Sequence, residues 1–152
     1  MKPSNNCLTL IKKYEGLYLN AYSDFTAVSI GYGTTKYPNG KAVKLKDKIT
    51  KEQAEEYLLF ECETISGSLD PLITIDVNQN QFDALVSFTY NFGVGAFERS
   101  TLRKKLNKGD ILGASQEFER WVFVTENGVK KKLLGLVKRR KEEQELFLKE
   151  VD

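Results

Sequence analysis

Residues 78–93 read NQNQFDALVSFTYNFG, and their apolar side chains do not keep to one stripe. Phe82, Leu85, Val86, Phe88 and Phe92 fall on nearly every side of a helix that an Asn78/Gln81 capping box opens and Gly93 ends. A helix that is apolar nearly all round has to be surrounded, so the chain must supply other helices to bury it. Several are legible. Thr50 followed by Gln53 is a second capping box with Ile49 just outside it, and Ala54, Tyr57, Leu58, Cys62, Ile65 and Leu69 keep to one face, which predicts a long helix over 50–69. Leu8 and Ile11, with Glu15 four residues on, share a face of a short helix over 4–15 that Gly16 stops. Ser100 and Asp110 are caps for two more short helices, the second ending at Trp121. A loop through Asn127 and Gly128 then leads to a final amphipathic helix over 135–149.

Residues 17–35 break this pattern. Their period changes to two, around Leu17, Leu19 and Ala21 and again from Ser29 to Thr34, which predicts two short strands. The Asn39-Gly40 turn within YPNGK predicts a third strand through Ala42 and Val43. The expected class is α+β, mostly α: one domain over 1–152, with a small β-hairpin lobe over about 17–47, a linking helix over about 50–69, and a helical lobe over about 70–150 that also takes in the helix at 4–15. A cleft between two lobes is a common place for a ligand.

The residue inventory excludes much chemistry. The 152 residues contain no histidine, and the two cysteines, Cys7 and Cys62, stand far apart outside any CxxC pair. A zinc site, a Cys/His nucleophile and a Ser/His/Asp triad are therefore not expected, nor is a metal or cofactor, and the cysteines read as two buried free thiols. No run of about 18 apolar residues exists to cross a membrane, and the first residues lack the apolar stretch of a secretory signal. The expectation is synthesis in the cytosol as a monomer, with no stable membrane insertion. A net charge of +2 is small, and no nucleic-acid-binding motif accompanies it. Lysines and arginines nevertheless crowd 130–132 and 138–141.

Within YEGLYLNAYSDFTAVSIGYGTT at 14–35, two carboxylates precede a glycine-punctuated strand. Glu15 ends a helix, at the negative end of its dipole and on the face that Leu8 and Ile11 carry inward, and both circumstances favour a protonated carboxyl. Such a group can donate a proton to a leaving glycosidic oxygen, or it can merely cap the helix and pair with a lysine. Asp24 lies at a turn, where it stays ionised and either activates water or makes an Asx-type hydrogen bond within the turn. An acid and a base with room for a water between them is the arrangement of an inverting glycosidase. Ser29, Gly31 and Gly33 alternate along the following strand and leave a nearly bare face for a sugar, with a bulge as the competing explanation for the glycines. Gly31, Tyr32 and Gly33 are the candidate substrate-binding residues of this segment.

EG at 15–16, AYSD at 21–24, IGYGTT at 30–35, ITKEQAEEYL at 49–58, NQFDALVSFTYNFGVGAF at 80–97, STLRKKLNKGD at 100–110 and GLVKRRKEE at 135–143 resemble the phage-type lysozymes, the endolysins of glycoside hydrolase family 24. The resemblance runs over nearly the whole chain in the family's order. It implies a two-lobed lysozyme fold and hydrolysis of the β-1,4 bond between N-acetylmuramic acid and N-acetylglucosamine in peptidoglycan, leading to lysis of the host cell. It also implies release to the wall through a pore made by another protein. Glu15 falls on the family's glutamate, the general acid, and Asp24, after eight intervening residues, falls on the position that orients or activates water. The third catalytic position departs from the family pattern. Only Phe25, Thr26, Ala27 and Val28 separate Asp24 from Ser29, where the family has threonine one residue further. Ser29 keeps the hydroxyl but lacks the methyl that restricts a threonine rotamer. Thr26 is a poorer substitute because it belongs to the turn itself. Arg139 and Arg140 are candidates to hold Glu15 or meet anionic substrate, the alternative being a solvated helix face on which Glu142, Glu143 and Glu145 complete ion pairs. Trp121 and Tyr90 read as core residues. Three rivals are a wall-binding module without catalysis, a lytic transglycosylase that needs only the glutamate, and a nucleic-acid binder using the basic cluster.

Overall fold

The computed structural model describes residues 1–24 and 27–151. Its centre is α3 (Gln79–Phe92), in which every residue from Phe82 to Thr89 is buried. The Asn78 side chain accepts from the Gln81 amide while the Gln81 side chain accepts from the Asn78 amide, and Gly93, at φ +93°, ends the helix. Around it pack α1 (Asn5–Glu15), α2 (Lys51–Leu69), α4 (Val94–Arg99) and α7 (Leu134–Leu148). The Thr50/Gln53 capping box opens α2 as its sequence requires. The short helices α5 (Thr101–Asn107) and α6 (Ile111–Glu117) begin at Ser100 and Asp110, whose side chains accept from the amides of Arg103 and Gly113. A turn of 3₁₀ helix then carries the chain to Trp121, which packs on Phe88 and Phe92 in the core. Cys7 and Cys62 are buried free thiols.

The first hairpin pairs β1 (Tyr18–Ser23) with β2 (Val28–Gly31), with Tyr22 opposite Ser29 and an irregularity between Tyr18 and Tyr22. Two expectations change here. The second strand stops at Gly31, because Gly31 and Gly33 take φ of +65° and +88° and fold Tyr32 and Gly33 into a tight turn closed by Ile30 and Thr34. The expected third strand at Ala42 and Val43 reduces to a single bridge between Lys36 and Ala42, and the segment that flanks β1 is instead the one bonded through Asp47 and Ile49. A second hairpin, β3 (Phe123–Glu126) with β4 (Val129–Lys132), replaces the loop expected around Asn127 and Gly128. Both turn residues adopt positive φ, 50° and 76°, as a tight two-residue hairpin turn demands.

Candidate active site

Glu15 is the last residue of α1, and Gly16 at φ +74° turns the chain away from it. Its carboxylate is not simply walled by the apolar face behind it. Arg139, on the first turns of α7 and 3% exposed, donates from Nη1 to Glu15 Oε2 at 2.7 Å. The same guanidinium donates from Nη2 to the Ser87 carbonyl at 3.2 Å and from Nε to Glu143 at 3.4 Å, so its plane is fixed from α3 and α7. The other carboxylate oxygen faces the Tyr32-Gly33 turn. A Cβ built on Gly33 would stand 2.9 Å from Glu15 Oε1 and 3.8 Å from the Tyr90 hydroxyl. Gly33 is therefore required twice, by its left-handed backbone and by the approach of the carboxylate. We expect Gly33→Ala to lower stability by roughly 1–2 kcal/mol through the backbone term alone, measurable by urea unfolding.

The neighbouring candidates separate. Gly31 turns towards the core, where an added Cβ would meet Ala54 Cβ and Ile49 Cδ1 at 3.3 Å, so it does not share the bare face expected for it with Gly33. Tyr32 is 5% exposed, with its ring beside Lys12 and its hydroxyl 3.4 Å from Glu55, away from Glu15. Only its carbonyl serves this site, accepting from the Tyr90 hydroxyl. Arg140 is likewise not a contact of Glu15. It lies over the rings of Phe88 and Phe92 and pairs with Glu143, which is fully buried rather than part of a solvated helix face.

Asp24 is exposed at the end of β1. Its Oδ1 accepts from the Ala27 amide at 3.0 Å, and its own amide donates to the Ala27 carbonyl at 3.1 Å. These bonds fix the carboxylate against the turn, whose tip, Phe25 and Thr26, lies outside the described residues. Ser29 is 6% exposed, and it stands opposite Tyr22 across the ladder. Burial, then the nearby Tyr18 and Glu15, push the Tyr22 hydroxyl above its ordinary pKa, and Asp24 adds to this while the polar Ser29 side chain opposes it. Tyr22 thus feels both carboxylates.

Sequence reasoning missed Tyr22, because its partner depends on register. It also missed Glu61, whose signal was present: three residues after Leu58 and four before Ile65, it is a charge on the apolar face of α2. Burial raises the Glu61 carboxyl above the usual range, the neighbouring Tyr90 hydroxyl opposing and the Glu15 charge adding.

The family model for phage lysozyme matches residues 12–143. The endolysin of Acyrthosiphon pisum secondary endosymbiont phage 1 is 43% identical over 148 residues, covering 97% of this chain and 98% of that protein. Among solved structures, an endolysin from Escherichia coli O157:H7 phage FAHEc1 superposes with a TM-score of 0.91 at 42% identity, over 97% of this chain and 94% of the other. The muramidase domain of SpmX from Asticaccaulis excentricus superposes at 0.89 with 33% identity, over 98% of this chain and 99% of the other. The two-lobed fold and the sequence agree over essentially the same span, and the chain belongs to the phage lysozyme family of glycoside hydrolases.

Proposed function

We propose that this protein is a muramidase that hydrolyses the β-1,4 bond between N-acetylmuramic acid and N-acetylglucosamine in peptidoglycan, with inversion at the anomeric carbon. The observation that carries the reading is the division of labour on Glu15. Arg139 occupies Oε2, while Oε1 looks out beside a residue that has no side chain. The acid's proton is delivered from Oε1 to a glycosidic oxygen lying over Gly33, while the Arg139 contact keeps the carboxyl from rotating away. Asp24, fixed by the Ala27 amide, accepts a proton from the attacking water, and the Ser29 hydroxyl orients that water. No step in this scheme calls for a metal or cofactor. Gly33 alone of the three turn residues borders the sugar in this scheme, and Gly31, Tyr32 and Arg140 support the site from behind. The enzyme acts as a monomer, the default for a single compact domain, and reaches the wall through a pore made by a separate protein, as the family resemblance implies.

The hydrogen bond from Ala27 to Asp24 also favours a second reading, in which Asp24 is only a turn residue and the protein binds wall polymer without cutting it. Product analysis separates the two. Purified protein incubated with peptidoglycan in ¹⁸O-water releases muropeptides with a reducing N-acetylmuramic acid carrying the label, and Asp24→Asn lowers their rate of release by about 10²-fold or more. Binding without products supports the second reading, and 1,6-anhydro products indicate a transglycosylase.

A further inference from the structure

Glu15 is held at one oxygen by a side chain, Arg139, and bounded at the other by a stretch of backbone, the Tyr32-Gly33 turn. That turn is held in its place from the helical lobe: Tyr90, on the last turn of α3, donates from its hydroxyl to the Tyr32 carbonyl. From this geometry we infer that Tyr90 is a positioning residue for proton delivery by Glu15, acting through the Tyr32-Gly33 peptide that its hydroxyl fixes beside Oε1. The inference rests on the proposed role of Glu15 as the acid.

The turn has little means of holding itself. Gly31 and Gly33 both adopt positive φ, and glycine populates positive and negative φ about as readily, so the peptides on either side of Tyr32 can turn over at small cost. The two bonds between Ile30 and Thr34 close the base of the turn and do not involve the Tyr32 carbonyl. Among the described residues, the donor to that carbonyl is the Tyr90 phenol. The C=O and N–H of a trans peptide point in opposite directions, so a bond to the Tyr32 carbonyl also directs the Gly33 N–H.

The phenol is well anchored for this work. Its ring packs against the core, and its hydroxyl stands 3.8 Å from a Cβ built on Gly33, the same point that lies 2.9 Å from Glu15 Oε1. Burial, then the charges of Glu61 and Glu15, push the hydroxyl well above its ordinary pKa, so the hydrogen it donates stays on through the neutral range. A peptide free to turn over changes the wall against which Oε1 and the glycosidic oxygen meet, and proton transfer is sensitive to small misplacements of that kind. A leaving group that departs without a proton is indifferent to them.

Tyr90→Phe removes one oxygen and leaves the ring in place, and two measurements on the full chain test the inference, with Glu15→Gln alongside. Thermal unfolding verifies that both variants are folded. In ¹⁵N-labelled protein the Gly33 amide resonance, single and sharp in the parent, shifts and broadens by exchange in Tyr90→Phe. In turnover, Tyr90→Phe lowers kcat on soluble peptidoglycan fragments by about 10-fold, and by less than about 2-fold on the same glycan carrying dinitrophenolate in place of the leaving sugar. Glu15→Gln shows the same dependence on the leaving group with a larger loss. An unchanged Gly33 resonance in Tyr90→Phe overturns the inference. So do equal losses on the two substrates, as a general structural or sugar-binding role for Tyr90 gives, and in either case the leaving-group dependence of Glu15→Gln leaves the acid assignment standing. If Glu15→Gln loses both activities equally, the acid assignment fails and takes the inference with it.

Discussion

Glu15→Gln is expected to reduce clearing of permeabilised bacterial cells by about 10³-fold, within the range that positioned general acids contribute. The substitution is nearly isosteric. Its amide oxygen can still accept from Arg139 Nη1, and α1 keeps its length and its Gly16 stop. What the amide lacks is a transferable proton beside Gly33. The far-ultraviolet circular dichroism spectrum should therefore match that of the parent while product release nearly ceases. A Glu15→Gln protein that clears cells at the parent rate would remove Glu15 from the proposed mechanism. Retained wall binding in the inactive variant would show that recognition and cleavage use separable contacts.

The largest loss of stability should follow from Glu143→Ala, at roughly 3–5 kcal/mol, the range for removing one partner of a buried ion pair. Glu143 is wholly buried between two arginines. Its Oε2 accepts from Ser87 Oγ at 2.5 Å and from Arg140 Nη2 at 3.0 Å. Arg140 Nε comes within 2.6 Å of Oε1, but its N–H is not aligned on that oxygen, so this contact is electrostatic rather than a directed hydrogen bond. Burial lifts the Glu143 carboxyl above its usual pKa range, and Arg140 and then Arg139 pull it back. Without Glu143, Arg140 keeps, among the described residues, the faces of Phe88 and Phe92 around a charge that is 1% exposed. Arg139 still has Glu15 and the Ser87 carbonyl. Urea unfolding measures the loss, and Glu143→Gln should recover part of it because its amide oxygen still accepts from one guanidinium.

The helices were readable because their signals are local. Thr50 with Gln53, and Asn78 with Gln81, each sit three residues apart, and their capping bonds form within the segment that encodes them. The second hairpin was hidden for the opposite reason: β4 buries no face, and its three lysines are all exposed, so no alternation betrays the strand. The run from Ser29 to Thr34 looked continuous because a glycine shows in sequence only that a positive φ is permitted, and at Gly31 that permission ends the strand. At the candidate site, the helix-end position of Glu15 and the turn position of Asp24 were legible. The choice between Arg139 and Arg140 was not. Adjacent residues on one helix differ by about a third of a turn, both arginines are buried, and which one meets α1 depends on how α7 lies across α3. Glu143 was misread as a surface partner because i,i+4 spacing to Arg139 looks the same on a wet face as on a buried one.

The contact between Arg139 and Glu15 joins residues 124 positions apart. As the chain leaves the ribosome, α1 is complete long before its arginine has been translated, and the hairpin that carries Asp24 and Ser29 also precedes α7 by about a hundred residues. A nascent or partly folded molecule can hold all three proposed reacting groups and still leave the acid unseated. Seating it has to await α7, so lytic activity in a refolding experiment should not appear before α7 has docked.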